Sequence, residues 1–427
     1  MDQIKIALIL FILTYVLLLS LPKFRAYIAL GSAFLFVLVG ILDLSEAIGF
    51  IDWNVILMIA GTMGLVSLFI ESKMPALLAD LIISKTPNVK WAVIGLSLFA
   101  GLISAFIDNV ATVLIVAPIA LTISKKLKIS PVPSIIAISI SSNLQGAATL
   151  VGDTTSIILG GHLDMTFLDF FVYQGKMGLF WVVQISAIVS TLVLLYFFRR
   201  DTQPVEVKGH TEVHDYFPTV LLVGMIVLLI IASFINFKSD LIKDHINGII
   251  CTILYVFGLI VNILKTKNTK FLKQSLLEID YFTILLLAGL FMVIGGIDEA
   301  GVVEKIGELF GSITNNPFIM FTLIVWASVL FSAFIDNIPY VTTMLPVISV
   351  IAGNDQKLAI LLYFGLLSGA TLGGNITPIG ASANITSVGI LRKEGYEVSA
   401  KTFMKISIPF TLAAVTTGYL LIWFIYR

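Results

Sequence analysis

Ser104-Ala-Phe-Ile-Asp-Asn109 and Ser332-Ala-Phe-Ile-Asp-Asn337 are the same six residues, 228 positions apart in a chain of 427. The likeness extends outward at the same spacing. Asp52-Trp-Asn-Val-Ile-Leu-Met-Ile-Ala-Gly61 pairs with Asp280-Tyr-Phe-Thr-Ile-Leu-Leu-Leu-Ala-Gly289, and Pro118 pairs with Pro346. Chance similarity between apolar segments would not hold register over about 65 residues, so the chain reads as an internal duplication. A fourth match, Gly152-Asp-Thr-Thr155 with Gly374-Asn-Ile-Thr377, runs at a spacing of 222. It implies a short deletion between the copies and makes Asn375 the counterpart of Asp153.

Composition fixes the solvent around this duplication. Hydrophobic residues make up 58% of the chain and charged ones only 12%, against about 25% charged in a soluble domain. Mean hydropathy is +1.03. The charges fall between apolar runs of about 20 residues, the length a bilayer core requires. Lys+Arg and Asp+Glu both number 26, so the basic footprint of a nucleic-acid binder is missing. The single cysteine, Cys251, excludes an internal disulfide framework and a thiolate metal cluster. The first apolar run, 4–21, lacks a small-residue cleavage site and is followed, not preceded, by Lys23 and Arg25. It reads as a span with its N-terminus outside, not as a signal peptide.

Two apolar stretches are irregular. Residues 91–124 are interrupted at Asp108-Asn109 and read as a re-entrant hairpin. Residues 133–165 are interrupted at Gly152-Asp-Thr-Thr-Ser156 and read as a broken helix. Their copies are expected at 317–352 and 358–391. Short amphipathic helices near 74–85 and 301–311 are too short to cross and belong in the interface. A hairpin does not change sides, so each half crosses five times and the second half is inverted. The expected fold class is an all-α polytopic membrane protein: two inverted repeats of five spans, each with a re-entrant hairpin and a broken helix. With both termini outside, 19 of the 26 Lys and Arg residues lie on the cytoplasmic side and 7 lie outside, as the positive-inside rule asks. The first hairpin then opens from the cytoplasm and the second from outside.

Irregular backbone inside a membrane is tolerated only where it lines a site, and inverted repeats with broken helices are a usual build of secondary transporters. Four polar clusters sit at mid-membrane depth: Asp108, Asn109 and Thr112; Asp336, Asn337, Thr342 and Thr343; Asp153, Thr154, Thr155 and Ser156; and Asn375 and Thr377 with Ser382 and Asn384 beyond. An ionised side chain at the bilayer centre costs about 3 kcal/mol even on lenient scales, so these aspartates call for cations, protons or strong hydrogen-bond partners. Asp108 and Asp336 also read as helix caps, and the two roles are compatible. No lysine, arginine or histidine falls within the clusters, which fits Na⁺ or H⁺ binding, with Na⁺ expected near Asp108, Asn109, Asp336 and Asn337. No Gly-x-x-x-x-Gly-Lys loop occurs. The chain therefore reads as a transporter, not an enzyme, driven by an ion gradient or by a separate soluble ATPase subunit.

Phe334-Ile-Asp-Asn-Ile-Pro339 and Gly373-Gly-Asn-Ile-Thr-Pro-Ile-Gly-Ala-Ser-Ala-Asn384 resemble the ion transporter superfamily, closest to its arsenical-pump membrane protein and melanocyte P protein branch. Citrate–metal symporters, sodium/proton antiporters and sodium/dicarboxylate symporters are further branches. The resemblance implies a homodimer in the plasma membrane that works by an elevator motion. It assigns 1–87 and 216–315 to scaffold, 88–198 and 316–427 to transport parts, and 199–215 to a cytoplasmic linker. It carries the site onto Asn109, Thr112, Asp153, Thr155, Asn337, Asn375 and Thr377. The first tip reads Asp108-Asn109 where arsenical-pump members tend to carry Asn-Asp, and the Ser-Asn-Thr tips of dicarboxylate symporters are absent. The expected function is H⁺- or Na⁺-coupled transport of a small inorganic anion or an arsenite/antimonite-type solute. Sodium/proton antiport and organic-anion transport are the alternatives.

Overall fold

A computed structural model describes residues 3–205, 211–235, 237–266 and 269–427. Residues 206–210 of the expected 199–215 linker lie outside the described residues, as do Lys208 and Lys267 of the 19 basic residues counted on the cytoplasmic side. The first half runs α1 (Gln3–Ser20), α2 (Arg25–Leu38), α3 (Leu44–Gly49), α4 (Trp53–Glu71), α5 (Met74–Ser84), α6 (Val89–Ser104), α7 (Asn109–Leu127), α8 (Val132–Gly146), α9 (Thr154–His162) and α10 (Leu179–Phe197). The second runs α11 (Phe217–Ala232), α12 (Asp240–Thr266), α13 (Thr269–Leu277), α14 (Tyr281–Glu299), α15 (Val302–Ile313), α16 (Pro317–Ser332), α17 (Asn337–Ala352), α18 (Gln356–Gly373), α19 (Ser382–Lys393) and α20 (Ala400–Tyr426). Among the described residues eight helices are long and apolar enough to cross a membrane: α1, α4, α7, α10, α12, α14, α18 and α20. The short helices expected near 74–85 and 301–311 are α5 and α15. The small helices α3 and α13 gave no clear apolar signal in the sequence.

The duplicated stretches build duplicated caps. Asp52 accepts from Val55 N at 3.0 Å and starts α4; Asp280 accepts from Thr283 N at 3.1 Å and starts α14. Asp108 accepts from Val110 N and Ala111 N at the head of α7, and Asp336 accepts from Ile338 N at the head of α17. A carboxylate there meets the free N–H groups and the positive end of the helix dipole together.

The halves interlock. α12 packs on α4, and α2 packs on α14. Glycine allows both approaches: a Cβ on Gly61 would lie 2.5 Å from the Cys251 carbonyl carbon, and one on Gly289 would lie 2.7 Å from that of Ala29. These matched contacts make Ala29 the counterpart of Cys251, and hence Arg25 the counterpart of Asn247.

The breaks correct the register read from the sequence. Thr149 Oγ1 donates to the Ala105 carbonyl, and Thr377 Oγ1 donates to the Ala333 carbonyl. A Cβ on Gly152 would strike the carbonyl oxygens of Gly146, Ala105 and Ser104; one on Gly380 would strike those of Gly374, Ala333 and Ser332. Every pair here is 228 apart, so no deletion intervenes. Asp153 matches Ala381, Thr149 matches Thr377, and Ala147 matches Asn375. The likeness of Gly152-Asp-Thr-Thr155 to Gly374-Asn-Ile-Thr377 is one of letters alone. The glycine that the fold requires is the one where three carbonyls converge.

Candidate functional site

The heads of α7 and α17 and the break before α9 face α4, α5 and α14 across a cavity of about 560 Å³. Its polar lining comes from Ser67, Lys73, Asp108, Asn109, Asn143, Asp153, Thr154, Glu278, Asp280, Thr283, Asn337 and Ser382. Asp108, Asn109, Asp153, Thr154 and Asn337 were expected there. Asp280 and Glu278 were not: nothing local in the sequence shows that a helix-capping carboxylate, or one two residues before it, lines a cavity shared with the other half.

A web of hydrogen bonds holds the polar wall. Asn109 Nδ2 donates to Asn143 Oδ1 at 3.0 Å, and Asn143 Nδ2 donates to the Thr371 carbonyl at 2.8 Å. Asp153 accepts from Thr154 N through Oδ1 at 2.9 Å and from Thr155 Oγ1 through Oδ2 at 2.8 Å. Thr155 Oγ1 also lies 2.9 Å from Thr371 Oγ1. Asp153 and Asn109 are therefore tied, through Thr155 and Asn143, to Thr371 of the other half. Asp153 is only 6% exposed, and no basic side chain contacts it among the described ion pairs.

Other expected residues serve the walls instead of lining the cavity. Thr112 and Thr342 bond back to the carbonyls of Asp108 and Ile338, one turn earlier in their own helices. Thr377 is spent on Ala333, and Asn375 Nδ2 donates to the Ile140 carbonyl while its Oδ1 is buried without a partner. Asp336 carries a correction. No basic residue was expected in the four clusters, yet Arg25 Nη1 lies 2.8 Å from Asp336 Oδ2. The sequence separation of 311 residues hides that pairing from any local reading.

The cavity thus holds Asp108, Asp153, Glu278 and Asp280 against Lys73. The positive ends of α7 and α9 are already met by their own capping carboxylates. What the wall offers to a ligand is carboxylate, amide and hydroxyl oxygen, which suits a cation or a proton better than a bare anion.

A profile of the citrate transporter family matches residues 9–365. The chain belongs to that family. It is a member of the ion transporter superfamily and a multi-span membrane transporter. It is 28% identical to the 46 kDa membrane protein of Mycobacterium leprae (strain TN), across 99% of this chain and 98% of that one. It is 26% identical to the P protein of Homo sapiens, across 89% of this chain and 54% of the longer relative. Among solved structures, the Alcanivorax borkumensis YdaH transporter superposes with a TM-score of 0.64 at 13% identity, over 97% of both chains. Neisseria gonorrhoeae MtrF, described as illuminating a class of antimetabolite efflux pumps, gives 0.57 at 13%, over 91% of this chain and 83% of that one. These two likenesses concern the fold of the transporter.

Proposed function

We propose that the transporter is driven by H⁺ or Na⁺, and that Asp108 and Asp153 hold the coupling cation. The observation that carries this reading is the cavity itself: the half-buried Asp108 of the hairpin tip and the buried Asp153 of the helix break share its wall, Asp153 and Asn109 are bound into one amide and hydroxyl web, and no arginine or histidine lies on the lining. The repeated caps and breaks support two inverted repeats whose tips and broken helices move together, elevator fashion, against the remaining spans. The positive-inside count supports a cavity open to the cytoplasm of a cell membrane. A homodimer is what the family resemblance implies, and a separate soluble ATPase is the alternative energy source for a chain with no Gly-x-x-x-x-Gly-Lys loop.

An acid-lined cavity favours exchange of Na⁺ for H⁺, or a cargo that enters neutral or with a counter-cation. An arsenite- or antimonite-type solute would pass as its neutral hydroxide, held by Asn109, Asn143, Asn337 and Thr154, since Cys251 is packed against Gly61. A small inorganic anion would need the cation as its partner. A second reading, an organic anion carried with a bound cation, is favoured by the citrate transporter profile.

Proteoliposomes with an imposed pH gradient and a trapped pH dye test the proposal. Collapse of the gradient on adding Na⁺, Li⁺ or K⁺ supports cation/proton exchange at the aspartates. With no such response, tracer flux of citrate, arsenite and phosphate follows. Flux that depends on neither Na⁺ nor the pH gradient overturns cation coupling.

A further inference from the structure

The two repeated aspartates at the helix heads are treated differently. Asp108 uses one oxygen, Oδ2, for both of its backbone bonds, to Val110 N and Ala111 N, and the residue faces the cavity. Asp336 divides its carboxylate. Oδ1 caps α17 through Ile338 N at 3.1 Å, and Oδ2 receives Arg25 Nη1 at 2.8 Å. Arg25 is itself held by the end of α1, its Nε donating to the Leu18 carbonyl at 3.2 Å. Three residues before Leu18 on α1, Tyr15 Oη donates to the Pro339 carbonyl at 2.8 Å and meets Thr343 Oγ1. The α1–α2 pair therefore grips the head of α17 at a half-buried ion pair and a half-buried phenol. Among the described residues the grip has no copy in the other half, where Asn247 stands in the place of Arg25.

We propose that Arg25 is a tethered counter-ion that positions the α16–α17 pair in the cavity-open conformation, and that its separation from Asp336 is a required step in leaving that conformation. A guanidinium fixed to α2 neutralises an aspartate that would otherwise need a cation at depth. Without it, the conformation shown loses a favourable contact that the opposite one does not have. The population must then shift away from the open cavity. The proposal rests on the transport reading only in supposing that α16–α17 moves.

The test reads conformation, not flux, so its failure is distinct from a failure of the transport reading. A Thr283→Cys variant carries a thiol on the cavity wall, and a membrane-impermeant maleimide reports how often the cavity is open. Arg25→Gln and Asp336→Asn are each expected to slow labelling about tenfold, a shift of about 1.4 kcal/mol, with Arg25→Lys between them and the parent. The double exchange Arg25→Asp with Asp336→Arg is expected to recover most of the parent rate. Folded single variants that label at the parent rate overturn the proposal. So does a folded double exchange as slow as the single variants, since that is the mark of packing and not of charge. Should a single variant fail to fold, Tyr15→Phe keeps the ring and removes the phenol's bonds to α17. Slower labelling then supports the grip, and an unchanged rate overturns it.

Discussion

Asp108 is at once a helix cap and a cavity wall, and substitution separates the two roles. Asparagine caps a helix about as well as aspartate. Asp108→Asn should leave the melting temperature of the purified protein close to that of the parent while abolishing cation-dependent flux. Full flux in a folded variant would remove Asp108 from the cation site. Asp153→Asn should behave alike: its amide oxygen accepts from Thr154 N, and its Nδ2 donates to Thr155 Oγ1, whose own proton turns to Thr371 Oγ1. Ala381 at the matched position shows that the break itself needs no charge there. The threonines differ. Thr149→Val and Thr377→Val each leave a buried carbonyl, of Ala105 or Ala333, without its partner. Each should cost about 1–3 kcal/mol, visible as a lower melting temperature in detergent.

Between elements, contacts are set by what glycine leaves out. Gly61 brings α4 onto the backbone of α12, and Gly152 admits three carbonyl oxygens within 2.9 Å of where a side chain would begin. Backbone atoms cannot step aside as a flexible side chain can. Gly152→Ala should therefore destabilise the protein by about 1–3 kcal/mol or more, with a loss of monodisperse yield as the measure. Much at this scale was legible in the letters. The six-residue identity, the aspartate caps and the amphipathic lengths of α5 and α15 are local patterns, and local patterns survive in a sequence. The register across the breaks was not, because a chance run of glycine, polar residue and threonine outweighed the true pairing at 228. Nor were Arg25 on Asp336 and Asp280 on the cavity, since each depends on how helices from different halves come together.

For the whole molecule, the cavity places Asn109 and Asn337 on one wall, although they lie in opposite halves of the chain. Cysteines introduced at the two positions should react with an impermeant reagent from the same side of the membrane and lose reactivity together when the protein changes state. Reactivity of one without the other, in every condition, would mean that the two tips do not travel as a unit. One ion pair ties the halves, Lys125 with Glu394, and a second, Lys265 with Asp215 at 3.0 Å, ties the end of α12 to the linker before α11. Both pairs are largely exposed, so each contributes little to stability.

The shared spacing of 228 residues also dates the parts of the molecule. A duplication leaves two identical copies, so whatever still matches is what the half-length ancestor already possessed: the aspartate caps, the threonine-to-carbonyl bonds and the glycines inside the carbonyl cages. Whatever differs was gained or lost afterwards, namely Asp153 against Ala381 and Thr112 against Tyr340 at that spacing, and Arg25 against Asn247, matched through the Gly61 and Gly289 contacts. The broken-helix architecture is thus the inheritance, and the asymmetric charges laid over it are the later history by which two equal halves took on unequal work.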